Sequence, residues 1–186
     1  MLGSAIIGGY DRSRFIPNNS TFRFAPDINR DLVVGLQSIT STESGGKTSS
    51  LLPSGILTFV DSTIPYIYLP AEACSVFEKQ FGLSWDLTSE LYLVNDSLRQ
   101  NLLARKPSFT FQLGDLATGG PTVNITLPYD SFDLTASQPL VANTSRYFPL
   151  KRAANDTQYA LGRAFLQEAW VLHRPGPCVL LWRGFC

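Results

Sequence analysis

One aspartate stands at the junction of two apolar runs: Ile56-Leu57-Thr58-Phe59-Val60, then Asp61-Ser62-Thr63, then Ile64-Pro65-Tyr66-Ile67-Tyr68-Leu69. A carboxylate set between β-rich segments is costly to keep charged unless it receives hydrogen bonds or shares a proton with a second carboxylate. The plain alternative is a turn aspartate that accepts hydrogen bonds from its own backbone. Far downstream lies a second landmark, Tyr159-Ala160-Leu161-Gly162-Arg163-Ala164-Phe165-Leu166.

The surroundings of both landmarks read as sheet. Segments of β-branched and aromatic residues over 31–39, 55–60, 108–113, 123–127 and 146–150 alternate with Gly, Pro, Asn and Ser clusters. This predicts a mostly β chain with one or two short helices. The clearest helix is Pro70 to Phe81, where Ala73, Cys74, Phe77 and Phe81 share a face and Gly82 suits the C-terminal cap. Residues 40–50 and 114–121 read as flexible loops, and neither resembles a domain linker. With 186 residues the chain is long enough for one domain with a sizeable core.

Charge and residue usage exclude several classes. The 15 basic and 15 acidic residues balance, and no Lys/Arg run exceeds a pair, so neither nucleic acid nor an anionic membrane surface is an indicated partner. No apolar stretch approaches the roughly 20 residues of a membrane span. His173 is the sole histidine, which argues against a serine or cysteine nucleophile working through a histidine base. Asp130 and Asp133 read as a solvated surface pair, while Asp96, Asp115 and Asp156 sit in turns or sequons. No metal or cofactor is indicated. Cys74, Cys178 and Cys186 fit no zinc spacing; they permit one disulfide, with Cys74 as a plausible anchor and its partner open. Asn18, Asn19, Asn95, Asn124, Asn143 and Asn155, six of the eight asparagines, each begin an N-x-[ST] sequon. That enrichment points to candidate N-glycosylation and a history in the secretory pathway, although Met1 to Ile7 lacks the charged start and the length of a signal peptide.

Three features together carry a resemblance: Asp61-Ser62 between apolar strands, Leu161-Gly162 in its apolar setting, and Gly8-Gly9-Tyr10-Asp11 near the start. Over residues 1–170 the chain resembles the C-terminal lobe of a pepsin-like aspartic endopeptidase of the fungal branch. The resemblance implies hydrolysis of peptide bonds by a water activated between two carboxylates that share one proton. It implies that Asp61 is one of them, that Ser62 bonds across to the opposite loop, and that Leu161 and Gly162 are structural, with Gly162 allowing close backbone contact. It also implies that the N-terminal lobe is missing as a partner, that peptide or protein is the substrate of the complete form, and that this half-enzyme is inactive alone. Location is expected to be extracellular or in the secretory pathway.

The chain departs from the family pattern at two positions of the loop. Thr63 replaces the usual Gly and adds a β-branched side chain at a position suited to positive φ. Ile64 replaces a common hydroxyl residue and removes a hydrogen bond near the carboxylate. Both favour the rival reading, a non-catalytic peptidase-like binding protein of the cell surface or wall. Residues 171–186 lack strand alternation and helical period, and are expected to be an aberrant tail, out of frame or mis-spliced, in place of the natural final strand.

Overall fold

The computed structural model describes Phe22, Arg23, residues 32–172 and residues 179–182. Gly8-Gly9-Tyr10-Asp11, Asn18, Asn19, His173, Cys178 and Cys186 lie outside the described residues. The architecture is mostly β. Its main sheet contains β1 (Val33–Thr42), β2 (Thr48–Ser50), β3 (Ile56–Val60), β4 (Ile67–Leu69), β7 (Ser108–Gly114), β8 (Thr122–Pro128), β11 (Leu150–Arg152) and β12 (Ala160–Leu161). The strand order is β11-β4-β12-β3-β1-β7-β8, with β2 paired to β1. A smaller sheet orders β5 (Ser84–Asp86), β6 (Leu91–Val94), β10 (Ser145–Phe148) and β9 (Leu134–Ala136) as β5-β6-β10-β9.

Burial follows the sequence period where the strands are long. In β8, Val123, Ile125 and Leu127 point inward while Asn124 faces solvent, the alternation expected of a half-buried strand. Helix α1 (Ala71–Phe81) buries Ala73, Cys74, Phe77 and Phe81, and ends at Gly82 in the left-handed region (φ 70), whose N–H donates to Glu78 O. Its phenylalanines enter an aromatic core: Phe77 and Phe81 each pack against Phe109 and Phe148, and Phe132 closes on Phe109 with ring centroids 4.3 Å apart. The five rings join the helix, the main sheet and the smaller sheet into one core.

Two expectations, at residues 40–50 and at Asp133, are corrected. Residues 40–50 form a β-hairpin, with Thr40 opposite Ser50 and Thr42 opposite Thr48 around Gly46 (φ 79); Ser and Thr suit exposed strand positions as well as loops. Besides α1, the expected short helices include α2 (Asp96–Arg105), capped by Asn95 Oδ1, which accepts from Leu98 N at 2.8 Å. Asp133 is not solvated: its side chain is 9% exposed and holds Arg99 through three N–H···O contacts. In the C-terminal region β13 (Ala169–Leu172) pairs antiparallel with β14 (Val179–Trp182), from Ala169 opposite Trp182 to Leu172 opposite Val179.

The loop over residues 115–120 is tied down rather than free. Gln37 Nε2 donates to Leu116 O at 3.0 Å and Gly119 O at 2.6 Å, and Arg23 binds the Asp115 carboxylate. Its backbone lies so close to β1 and β3 that a Cβ at Gly35 would come within 1.8 Å of Leu116 O.

Candidate functional site

Asp61 leaves the end of β3 where three strands meet. Strand β12 lies beside β3 in parallel and beside β4 antiparallel, so the chain returning from residue 160 runs between the two apolar arms that flank the aspartate. Asp61 N donates to Leu161 O at 3.1 Å, which fixes the loop's entry. Its exit is fixed by the next residues of the second landmark: Gly162 N donates to Tyr66 O, Arg163 N to Ile64 O and Ala164 N to Pro65 O, at 2.8 to 3.1 Å. Such contact is possible because residue 162 has no side chain. A Cβ there would lie 2.3 Å from Tyr66 O and 2.5 Å from Ile64 O.

At the tip, Thr63 N and Thr63 Oγ1 both donate to Asp61 Oδ1 at 2.7 Å. The backbone half of this pair is the self-contained turn of the plain reading. The hydroxyl half adds a side-chain hydrogen bond to the same oxygen from within the loop. The expected backbone conflict at Thr63 does not arise: the non-glycine residues with positive φ among those described are Glu90 and Lys106. Asp61 is partly buried, and Ser62 and Thr63 are exposed.

Arg163, inside the second landmark, holds the tip from outside. Its Nη1 donates to Ser62 O at 3.2 Å and to Thr63 O at 2.8 Å. Behind it, Tyr66 packs edge-on against Tyr68 and Tyr147 at centroid distances of 6.3 and 6.2 Å. Burial raises the phenol pKa of Tyr66 and Tyr147, and the Arg163 charge partly opposes it in each case. Lys151 projects between the rings of Tyr66 and Trp85, at 5.0 and 5.5 Å, and burial holds its ammonium below the usual lysine range. From sequence the second landmark reads as structural, and Arg163 within it is not singled out. No local signal in the sequence separates Arg163 from the other arginines.

Other expected site residues are not gathered here. Cys74 is a free, buried thiol whose Sγ faces Leu69 O and Lys151 O at 3.9 and 3.6 Å; Cys178 and Cys186, the cysteines it could bridge, lie outside the described residues. Of the described sequon asparagines, Asn95 and Asn155 act as caps, Asn124 lies mid-strand in β8, and Asn143 sits in the turn before β10; all are exposed. Among the described residues no group of three His, Cys, Asp or Glu is placed to hold a metal ion. No described helix is long and apolar enough to cross a membrane.

No family model and no curated protein sequence matches this chain. Among solved structures, it superposes on the crystal structure of an aspartic proteinase from Irpex lacteus with a TM-score of 0.64, over 96% of this chain and 51% of that one. The fold is pepsin-like. At 16% identity the likeness is one of fold, and this pepsin-like chain spans about half the length of the proteinase it matches. The strand-loop-strand carrying Asp61 and the β12 crossing beside it form the centre of that pepsin-like sheet.

Proposed function

We propose that this chain is the C-terminal, Asp61-bearing half of an aspartic-type endopeptidase, in which Asp61 and a carboxylate from a second lobe share a proton and activate water. The observation that carries the reading is the treatment of the Asp61 carboxylate. Thr63 occupies Oδ1 twice at 2.7 Å, while no described residue donates to Oδ2. A carboxylate held by one oxygen and open at the other is suited to exchange a proton with a facing group. Ser62 is exposed beside it, which agrees with a bond toward that second loop.

One carboxylate does not complete this chemistry, so the chain alone does not cleave peptides. The substrate of the complete form is peptide or protein, and no cofactor takes part. The sequons agree with a secretory or extracellular location, and residues 171–186 are read as an altered C-terminal end. The test is to sequence the genomic locus and transcript around this reading frame. An in-frame upstream lobe carrying Asp-[Thr/Ser]-Gly is the expected result. A faithfully spliced transcript with no such lobe would remove the peptidase reading and favour the non-catalytic binding protein. The specific observation on that second side is the Thr63 side chain, which adds exposed bulk at the loop tip.

A further inference from the structure

We infer that Arg163 forms a carboxylate-binding subsite beside Asp61, selecting peptides that carry an anionic group next to the bond presented to the loop; this rests on the peptidase reading above. The first observation is a singularity in ion pairing. Arg23, Arg99, Arg105, Arg146 and Arg152 each lie within 4.0 Å of a carboxylate: Asp115, Asp133, Glu43, Asp133 and Glu78 respectively. Arg163 is the one described arginine without such a partner, Asp61 included, although it is exposed.

The second observation is that this unneutralised guanidinium is already ordered. One nitrogen, Nη1, holds the carbonyls of Ser62 and Thr63, while Nε and Nη2 have no acceptor among the described residues. A free arginine loses much rotamer entropy when it binds; one fixed beforehand by two carbonyl bonds loses less. The unused donors belong to a planar fork that matches a carboxylate. Position supplies the third element. The residue that anchors the guanidinium also bonds Asp61, since Thr63 donates to Oδ1 and accepts from Nη1. Tyr66, partly exposed and backed edge-on by the buried Tyr147, lies close enough to feel the Arg163 charge and offers an apolar flank for a peptide stem. The anion has two possible sources, an acidic side chain or a peptide's terminal carboxylate.

The test uses the full 15N-labelled chain at pH 6, following the Arg163 Nε–Hε resonance and the Thr63 amide. Three probes are titrated: acetyl-Ala-Asp-Ala-amide, its Asn isostere, and acetyl-Ala-Ala-Ala with a free C-terminus. A carboxylate peptide is expected to bind about fivefold more tightly than the Asn isostere and to shift both resonances. If the Asp peptide alone does so the source is a side chain; if the free-acid peptide does so it is the terminus. The preference should vanish in Arg163→Gln and weaken in Arg163→Lys, which keeps the charge but not the planar fork, each shown to be folded by a dispersed spectrum. Equal affinity for all three probes, no shift with any of them, or a preference unchanged in Arg163→Gln would overturn the inference. The peptidase reading is judged separately, by whether Asp61→Asn abolishes cleavage in a form with both lobes.

Discussion

Thr63 donates twice to a single oxygen of Asp61: its backbone N–H and its hydroxyl both reach Oδ1 at 2.7 Å. The side chain at this position therefore serves the carboxylate instead of crowding it. Thr63→Val keeps the β-branched shape and removes the hydroxyl, so the backbone bond stays and the second is lost. Because the group is exposed, the cost is about 1 kcal/mol, read as a lower urea midpoint at unchanged m-value. An unchanged midpoint would show that the hydroxyl bond contributes nothing to the loop.

Gly162→Ala tests the crossing. The added methyl group meets backbone carbonyls of Tyr66 and Ile64 at 2.3 and 2.5 Å, and backbone cannot swing aside as a flexible side chain can. Overpacking of this kind costs about 3 kcal/mol, and because the displaced carbonyls belong to the Asp61 loop, the Thr63 amide should also lose hydrogen-exchange protection. A variant with wild-type stability would mean that the loop yields freely.

Acid sensitivity has a specific source in Glu43. Hydrogen bonding from the Arg105 guanidinium holds the Glu43 carboxyl below the usual carboxylate range. A depressed folded-state value means that the stabilisation is fully present above the ordinary carboxylate pKa and is lost as pH falls through the lowered one. Thermal melts across the acidic range should therefore show Glu43→Gln less stable near neutrality, with the two curves converging in acid. Parallel curves would contradict the assignment.

Cys74 should be chemically silent while the chain is folded. Burial pushes its thiol pKa up to about 12, and reactivity belongs to the thiolate. Peptide-level mass spectrometry after iodoacetamide treatment at pH 8 should find Cys74 unmodified in the native chain and alkylated in denaturant. Native alkylation, or a disulfide at Cys74, would refute the buried free thiol.

How far the sequence discloses this molecule differs by element. Strand β8 and helix α1 are legible because Val123, Ile125 and Leu127, and Ala73, Phe77 and Phe81, repeat with the periods of two and 3.6 residues that burial imposes. Helix α2 is hidden because Leu102 is its one buried residue, leaving almost no apolar stripe, and its capping Asn95 looks like any sequon asparagine. Hairpin β1-β2 is hidden because its strands near the turn are Ser and Thr. At the site, Asp61, Thr63 and Gly162 stand out by local context. The distinction of Arg163 does not, because it consists in what the other arginines have: Arg23 finds Asp115 and Arg152 finds Glu78 only across the folded chain.

The central claim is that Asp61 is one carboxylate of a two-carboxylate site completed by a second lobe. The most direct measurement is peptide hydrolysis at acidic pH by three proteins: this chain alone, the chain expressed in frame with an upstream Asp-[Thr/Ser]-Gly lobe, and that longer form carrying Asp61→Asn. The account predicts turnover by the longer form only, abolished by the substitution. Turnover that survives Asp61→Asn, or cleavage by the chain alone that does not depend on Asp61, would contradict it.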